Sequence, residues 1–236
     1  MGRSIVIGDV HGCARELSEL LSLVGPTRDD QVCFVGDLVA RGPESHGVLR
    51  LFREVSGKAV LGNHEERLLE AHRARFRGES GSPLGKNHEA VMRELDESDW
   101  ALLDALPLYL DLPEHRARIV HAGVNPAIAF KKQDAWTLTH IRSVDSDGKP
   151  SERAGDESWA ASYRGEPHLL FGHDARRRLQ LHPWATGLDT GCVYGGSLTA
   201  IVIPAGETLP FPSERRDLLV SVRARDAYYQ GRAAAV

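Results

Sequence analysis

Through the first sixty residues, short apolar runs alternate with stretches in which apolar residues recur at helical spacing. Ile5 to Gly8 is a short run that predicts a strand, and Leu17, Leu20, Leu21 and Val24 follow on one helical face until Gly25-Pro26 stops them. Val32 to Val35 predicts a second strand and Ala59 to Leu61 a third. Between them, Pro43 suits the first turn of a helix carrying Val48, Leu51, Phe52 and Val55. Strands buried on both faces and separated by helices predict βαβ units and a sheet covered by helices.

Residues 64 to 106 read as helical, interrupted by "GESGSPLG", a composition that predicts a mobile surface loop. Arg118 to Val120, Leu169 to Phe171 and Leu198 to Ile203 predict strands of a second sheet. Residues 143–157, "SVDSDGKPSERAGDE", are polar enough to predict a flexible excursion, and the terminal "QGRAAAV" carries no pattern. There is no internal repeat and no linker. The expected architecture is one α/β domain over residues 1–236, a two-sheet β-sandwich flanked by helices, with 224–236 as a peripheral or disordered tail.

Composition narrows the classes of function. With 236 residues and 42% apolar side chains the chain can bury a sizeable core. Its 29 Lys and Arg against 33 Asp and Glu give a net charge of −4 with no long run of one sign, which argues against broad capture of nucleic acid or an anionic membrane. Any phosphate chemistry must then rest on metals or single arginines. Cys13, Cys33 and Cys192 are too few and too scattered for a disulfide framework or a CxxC zinc site, so buried thiols in a reducing compartment are expected. The N-terminal apolar run meets Asp9 too early for a signal-peptide core or a membrane span. A cytoplasmic location, no membrane association and no obligate protein partner are the expectations.

The candidate chemistry sits where the strands end. "GDVHG" places Asp9 and His11 two apart beyond the first strand, and alternation along extended chain points both side chains to one side. "GD" recurs at Gly36-Asp37, "GNHE" at Gly62 to Glu65, and two further histidines close apolar runs, His121 in "IVHAG" and His173 in "LLFGH". In open α/β sheets ligands bind beyond the carboxyl ends of the strands, so these residues should converge there. Taken singly, an Asp after Gly is ordinary turn chemistry, and a lone His is more often structural than a ligand. Seven of the eleven histidines (His46, His72, His88, His115, His140, His168 and His182) are read in that structural way. Five strand ends, each closed by Asp, Asn or His, read together as a nitrogen and oxygen site for two divalent ions. Such ligands suit Mn2+ best, with Co2+, Fe2+, Zn2+ or Mg2+ as alternatives. Two ions about 3.5 to 4 Å apart lower the pKa of bound water and clamp attacking and leaving oxygens, which matches hydrolysis of a phosphate ester or anhydride.

The order GDVHG, GDLVARGP, GNHE, HAG, GH resembles the calcineurin-like metallophosphoesterase superfamily over residues 4 to 203. More narrowly it resembles the branch of Ser/Thr protein phosphatases and symmetrical bis(5'-nucleosyl)-tetraphosphatases. The resemblance implies a β-sandwich with metals at the strand ends. Asp9, His11 and Asp37 would bind one ion with Asp37 bridging, and Asn63, His121 and His173 would complete the second. It further implies that Arg41 and Arg142, the latter in "THIRSV", contact phosphate, and that His64 is the general acid. In the protein-phosphatase pattern GDxxDRG, an Asp directly before the Arg orients that His; this chain has Ala40 there. A serine alkoxide needs a well-held acid to depart, whereas a nucleotide leaves as a phosphate anion whose second pKa is about 6.

All eight residues of GDLVARGP match the tetraphosphatase pattern, and "LDTGCVYGGSLTAI" resembles that subgroup's C-terminal block. Tyr194 within it reads as core packing before base stacking, and Glu65 departs toward the protein phosphatases. The implied activity is cleavage of diadenosine tetraphosphate into two ADP by water attacking an inner phosphorus. Other dinucleoside polyphosphates and nucleoside-polyphosphate RNA caps would be further substrates. The alternatives are a Ser/Thr protein phosphatase, which restoring Asp at position 40 would test, and a catalytically silent metal-binding module.

Overall fold

A computed structural model describes residues 2–79 and 83–230. In chain order its strands are β1 (Ser4–Ile7), β2 (Gln31–Phe34), β3 (Lys58–Ala59), β4 (Tyr109–Leu112), β5 (Ala117–Val120) and β6 (Ser143–Val144). Then come β7 (Pro150–Ser151), β8 (His168–Phe171), β9 (Gln180–Leu181), β10 (Ala185–Gly187), β11 (Ser197–Ile203) and β12 (Leu219–Arg223). The helices are α1 (Ala14–Val24), α2 (Ser45–Glu54), α3 (Asn63–Phe76), α4 (Lys86–Glu94), α5 (Glu97–Asp104), α6 (Ala135–His140) and α7 (Trp159–Ser162). One five-stranded sheet has the order β12-β11-β1-β2-β3 and the other β4-β5-β8-β10-β9, so the chain is the two-sheet α/β sandwich that its apolar pattern predicts.

Within the first sheet β1, β2 and β3 run parallel and β11 and β12 antiparallel to their neighbours. In the second, β5, β8 and β10 are parallel with antiparallel strands at both edges. Successive residues of a strand face opposite sides, and both sides here are apolar. Ile5, Ile7, Val32 and Phe34 pack under the helices with Leu17, Leu20, Val48 and Leu68. Val6, Cys33 and Val35 meet Ile119, Leu170 and Ile201 between the sheets. The outer face of the second sheet is closed by Leu138, Trp159 and Ala160 over Val120, Leu169 and Phe171. The continuous apolar runs of the sequence are thus explained by burial on two sides.

Helix α1 stops at Gly25, whose left-handed backbone (φ 57°) is cheap only without a Cβ and whose N–H closes on the Leu21 carbonyl. Two expectations are corrected. The polar stretch 143–157 is not a loose excursion: β6 and β7 pair within it, the Asp145 carboxylate accepts from the N–H groups of Asp147 and Lys149, and Asn125 Nδ2 donates to the Gly148 carbonyl. Residues 224–230 are not peripheral either. The Arg225 N–H and the Tyr228 hydroxyl both donate to Glu16 Oε1 on α1, and Tyr229 N–H donates to the Val193 carbonyl. Residues 231–236 of the expected tail and 80–82 of the expected loop lie outside the described residues. No helix among the described residues is long and apolar enough to cross a membrane.

The backbones also approach closely where β1 ends. A Cβ on Gly8 would lie 2.3 Å from the Leu188 carbonyl oxygen, so only glycine lets this strand end lie against the turn that carries Asp189. Gly8→Ala should cost about 1–3 kcal/mol through forced backbone displacement, read as a lower thermal midpoint in calorimetry.

Candidate metal centre

Each parallel strand delivers its polar residue to one end of the sandwich. Asp9 and His11 follow β1, Asp37 follows β2, Asn63 and His64 open α3 after β3, His121 follows β5, and His173 follows β8. All but Asn63, which is half-buried, are buried. The turns that present them are unusual. Eight non-glycine residues have left-handed backbone among the described residues, and His11 (φ 49°), Asp37 (48°), Ala40 (70°), Arg41 (71°) and His173 (68°) are five of them. Such conformations cost free energy and persist where surrounding structure over-determines them, characteristically at functional sites.

Three histidines are held in one way. Nδ1 of His121 donates to the Val35 carbonyl (2.8 Å), Nδ1 of His11 to the Val39 carbonyl (3.3 Å), and Nε2 of His173 to the His140 carbonyl (3.0 Å). A backbone carbonyl only accepts, so each bond fixes the proton there and leaves the other ring nitrogen as a lone pair. Those lone pairs converge. His11 Nε2 is 3.4 Å from one oxygen of Asp37 and His121 Nε2 is 3.5 Å from the other. His121 Nε2 and His173 Nδ1 are 3.1 and 3.0 Å from Asn63 Oδ1. Acceptors therefore face acceptors around a buried carboxylate, an arrangement that a cation relieves. Two groups of donor atoms, each within 4.8 Å of one another, share Asp37: His11, Asp37 and His64 in one, where the sequence expectation had Asp9 in place of His64, and Asp37, His121 and His173 in the other. The donor set fits the divalent ions of the sequence expectation.

Electrostatics agree with the geometry. Burial pushes His11 down to about 3, helped by the Arg41 charge, and holds His64, His121 and His173 below the usual imidazole range. Neutral imidazole is the form that ligates metals. Burial and the charges of Asp189 and Asp37 push the Asp9 carboxyl well up, and burial pushes Asp189 up to about 7. Asp9 also accepts the His173 N–H at 3.0 Å, and a Cβ on Gly172 would sit 1.9 Å from Asp9 Oδ1. Three buried carboxylates, Asp9, Asp37 and Asp189, thus crowd one strand-end cluster, and uncompensated buried charge is costly.

At the rim, Arg41 Nη1 lies 3.0 Å from His11 Nε2, and its guanidinium is 5.5 Å from the ring centres of both Tyr194 and Tyr229. Arg142 is anchored through the Glu152 and His173 carbonyls at 3.0 and 3.3 Å. A cavity of about 660 Å³ takes in Arg41, Asn63, Arg142, Arg153, Arg176, Arg178 and Tyr194, and a second of about 400 Å³ takes in Arg41, Asn63, His64, Arg67, Lys86, His88 and Tyr229. Every sequence-predicted site residue therefore lies in one cluster or its rim. Tyr194, read as core packing, is half-buried and lines the larger cavity.

Other participants had weaker signals. Asp189 stands in the quoted "LDTGC" block and Glu65 in "GNHE", whereas Tyr229 and His88 have no motif. Glu65 is a buried brace: its carboxylate accepts the N–H groups of Asp37 (2.9 Å), Val39 (3.1 Å) and Gly62 (3.1 Å), tying the second strand end to the third.

The profile of the calcineurin-like phosphoesterase family matches residues 2–201. An asymmetrical bis(5'-nucleosyl)-tetraphosphatase, PrpE, from Halalkalibacterium halodurans is 32% identical, covering 94% of this chain and 97% of its own length. The same-named protein of Oceanobacillus iheyensis is 30% identical over 89% and 92%. A crystal structure described as a candidate diadenosine tetraphosphatase superposes with a TM-score of 0.80 at 33% identity, covering 95% of both chains. A Saccharomyces cerevisiae Ser/Thr phosphatase at 15% identity and TM-score 0.58 shares the fold.

If the cluster binds metal, Mn2+ at about 100 times its Kd should stabilise the folded protein by about 2.7 kcal/mol. Asp37→Asn should abolish most of that shift in a thermal melt, because both donor groups lose their shared charge.

Proposed function

The chain belongs to the calcineurin-like phosphoesterase family, and on that premise we propose that it is a metal-dependent hydrolase that splits diadenosine tetraphosphate asymmetrically into ATP and AMP. The observation that carries the reaction class is the convergence of three carbonyl-tied imidazoles on Asp37 and Asn63 beside an arginine-lined cavity. Asp9, His11 and Asp37 would hold one ion, and Asp37, Asn63, His121 and His173 the other, with Mn2+ the best match to these donors. When bound, the ions supply Lewis acidity and an activated water.

The chain's own residues bind and orient the phosphates. Arg41, packed against two neighbouring tyrosine rings, presents its fork to non-bridging oxygens, and Arg142 meets them with its guanidinium already seated on two carbonyls. His64 stands beside Arg41 to serve the leaving oxygen. The departing nucleotide is a phosphate anion, so this service is a hydrogen bond more than an obligatory proton transfer.

For the bond cleaved, the relatives' names and the GDLVARGP resemblance point apart, and we follow the two relatives above, which cover most of this chain under the asymmetrical name. Unequal cavities on the two sides of Arg41 and Asn63 support unequal arms: the larger, with Arg142, Arg153, Arg176 and Arg178, offers the charge for a longer phosphate chain. Glu65, the one feature that leaned toward a protein phosphatase, is accounted for as the brace of the second turn.

Incubation with diadenosine tetraphosphate and Mn2+ followed by nucleotide chromatography should yield equal ATP and AMP. Two ADP would restore the symmetrical cleavage, and nucleotide inertness beside rapid phosphopeptide hydrolysis would overturn the substrate class. Arg41→Ala should lower kcat/KM by about 10²–10³ while Mn2+ binding, followed by titration, is kept.

A further inference from the structure

Ala40 leaves His64 without the carboxylate that the protein-phosphatase pattern places beside it, yet His64 is not loose. Its Nδ1 lies 2.9 Å from Nε2 of His88, with the two rings 7° from parallel. His88 comes from the third residue of α4 and is buried, while Ala40 is wholly buried among apolar side chains with its N–H donated to Ser45 Oγ. We propose that His88 is the positioning residue of His64, standing in for the missing carboxylate and selecting anionic leaving groups by the tautomer it imposes. The inference rests on the reading of His64 as the group that serves the leaving oxygen.

The selectivity follows from counting the proton shared by the two rings. A carboxylate partner can only accept, so it draws the proton of its histidine onto Nδ1. His64 could then donate from Nε2 only as an imidazolium, which is the full acid an alkoxide requires. A neutral imidazole can donate instead. In the proposed arrangement Nε2–H of His88 is directed at Nδ1 of His64, so that nitrogen is an acceptor and the single proton of neutral His64 sits on Nε2, the ring nitrogen away from His88. His64 then meets the leaving oxygen as a fixed neutral donor. That suffices for a phosphate leaving as an anion and falls short for a serine or alkyl phosphate. A carboxylate introduced at position 40 would compete with His88 for one ring atom, and its burial among apolar groups adds a further cost.

Isosteric replacements separate this role from packing. His88→Ala should lower kcat for diadenosine tetraphosphate by about 10- to 100-fold, as losses of orienting partners do, with KM and Mn2+ titration unchanged. His88→Gln, whose amide can still donate to Nδ1, should recover most of it. His88→Glu should stay impaired on the nucleotide and gain on phenyl phosphate, so the ratio of the two activities shifts between Gln and Glu. Equal ratios in the Gln and Glu variants would overturn the inference, as would full nucleotide turnover by His88→Ala beside an impaired His64→Ala. Full turnover by His64→Ala would overturn the underlying role of His64 itself.

Discussion

A single buried carboxylate, Asp37, sets the terms for the rest of the structure. Its two oxygens face different histidines, one on each side, and one oxygen also accepts the N–H of His64. A carboxylate removed from water is tolerable only when every lone pair has a partner. The architecture reads as the means of delivering them. Parallel strands bring three polar turns to one edge, β8 of the opposing sheet brings His173 across the sandwich, and Glu65 ties Asp37's own N–H to the start of α3. Left-handed backbone at Asp37, Ala40 and Arg41 shows the chain folding back on itself to keep the carboxylate inward and the guanidinium outward.

The same constraint gives the site its division of labour. The three imidazoles that face Asp37 and Asn63 each bond to a backbone carbonyl and so have no freedom of tautomer. His64 differs. It bonds to another side chain, His88, so its protonation pattern is set by a partner that substitution can alter. Invariable geometry is thus built from main chain, and adjustable chemistry from side-chain pairs.

This contrast also explains how much the sequence could reveal. The strands from β1 to β3, the α1 stop at Gly25 and the αβ alternation were legible because each depends on neighbours within a few residues. The cluster was legible for the same reason: Asp9, His11, Asp37, Asn63, His121 and His173 each close a local apolar run. Short or half-exposed strands such as Tyr109–Leu112 and Gln180–Leu181 left little apolar signal, since edge position and not burial makes them strands. His88 was indistinguishable from six other structural histidines, because nothing local marks a residue whose meaning comes from α4 packing near α3. Tyr194 could be placed in the core or the site only once Arg41 was seen beside it.

The chain end supplies a consequence of its own. Tyr229 packs beside Tyr194 against the Arg41 guanidinium, and the segment carrying it is fastened to α1 by Glu16 through Arg225 and Tyr228. The family match covers residues 2–201, so Arg41 and Tyr194 lie within it and Tyr229 lies beyond. The surroundings of Arg41 are therefore assembled from both stretches of the chain, Tyr194 inside the family match and Tyr229 beyond it. A change in the segment that carries Tyr229, or in its fastening to Glu16, would reach the Arg41 guanidinium without touching the buried carboxylate on which the fold is centred.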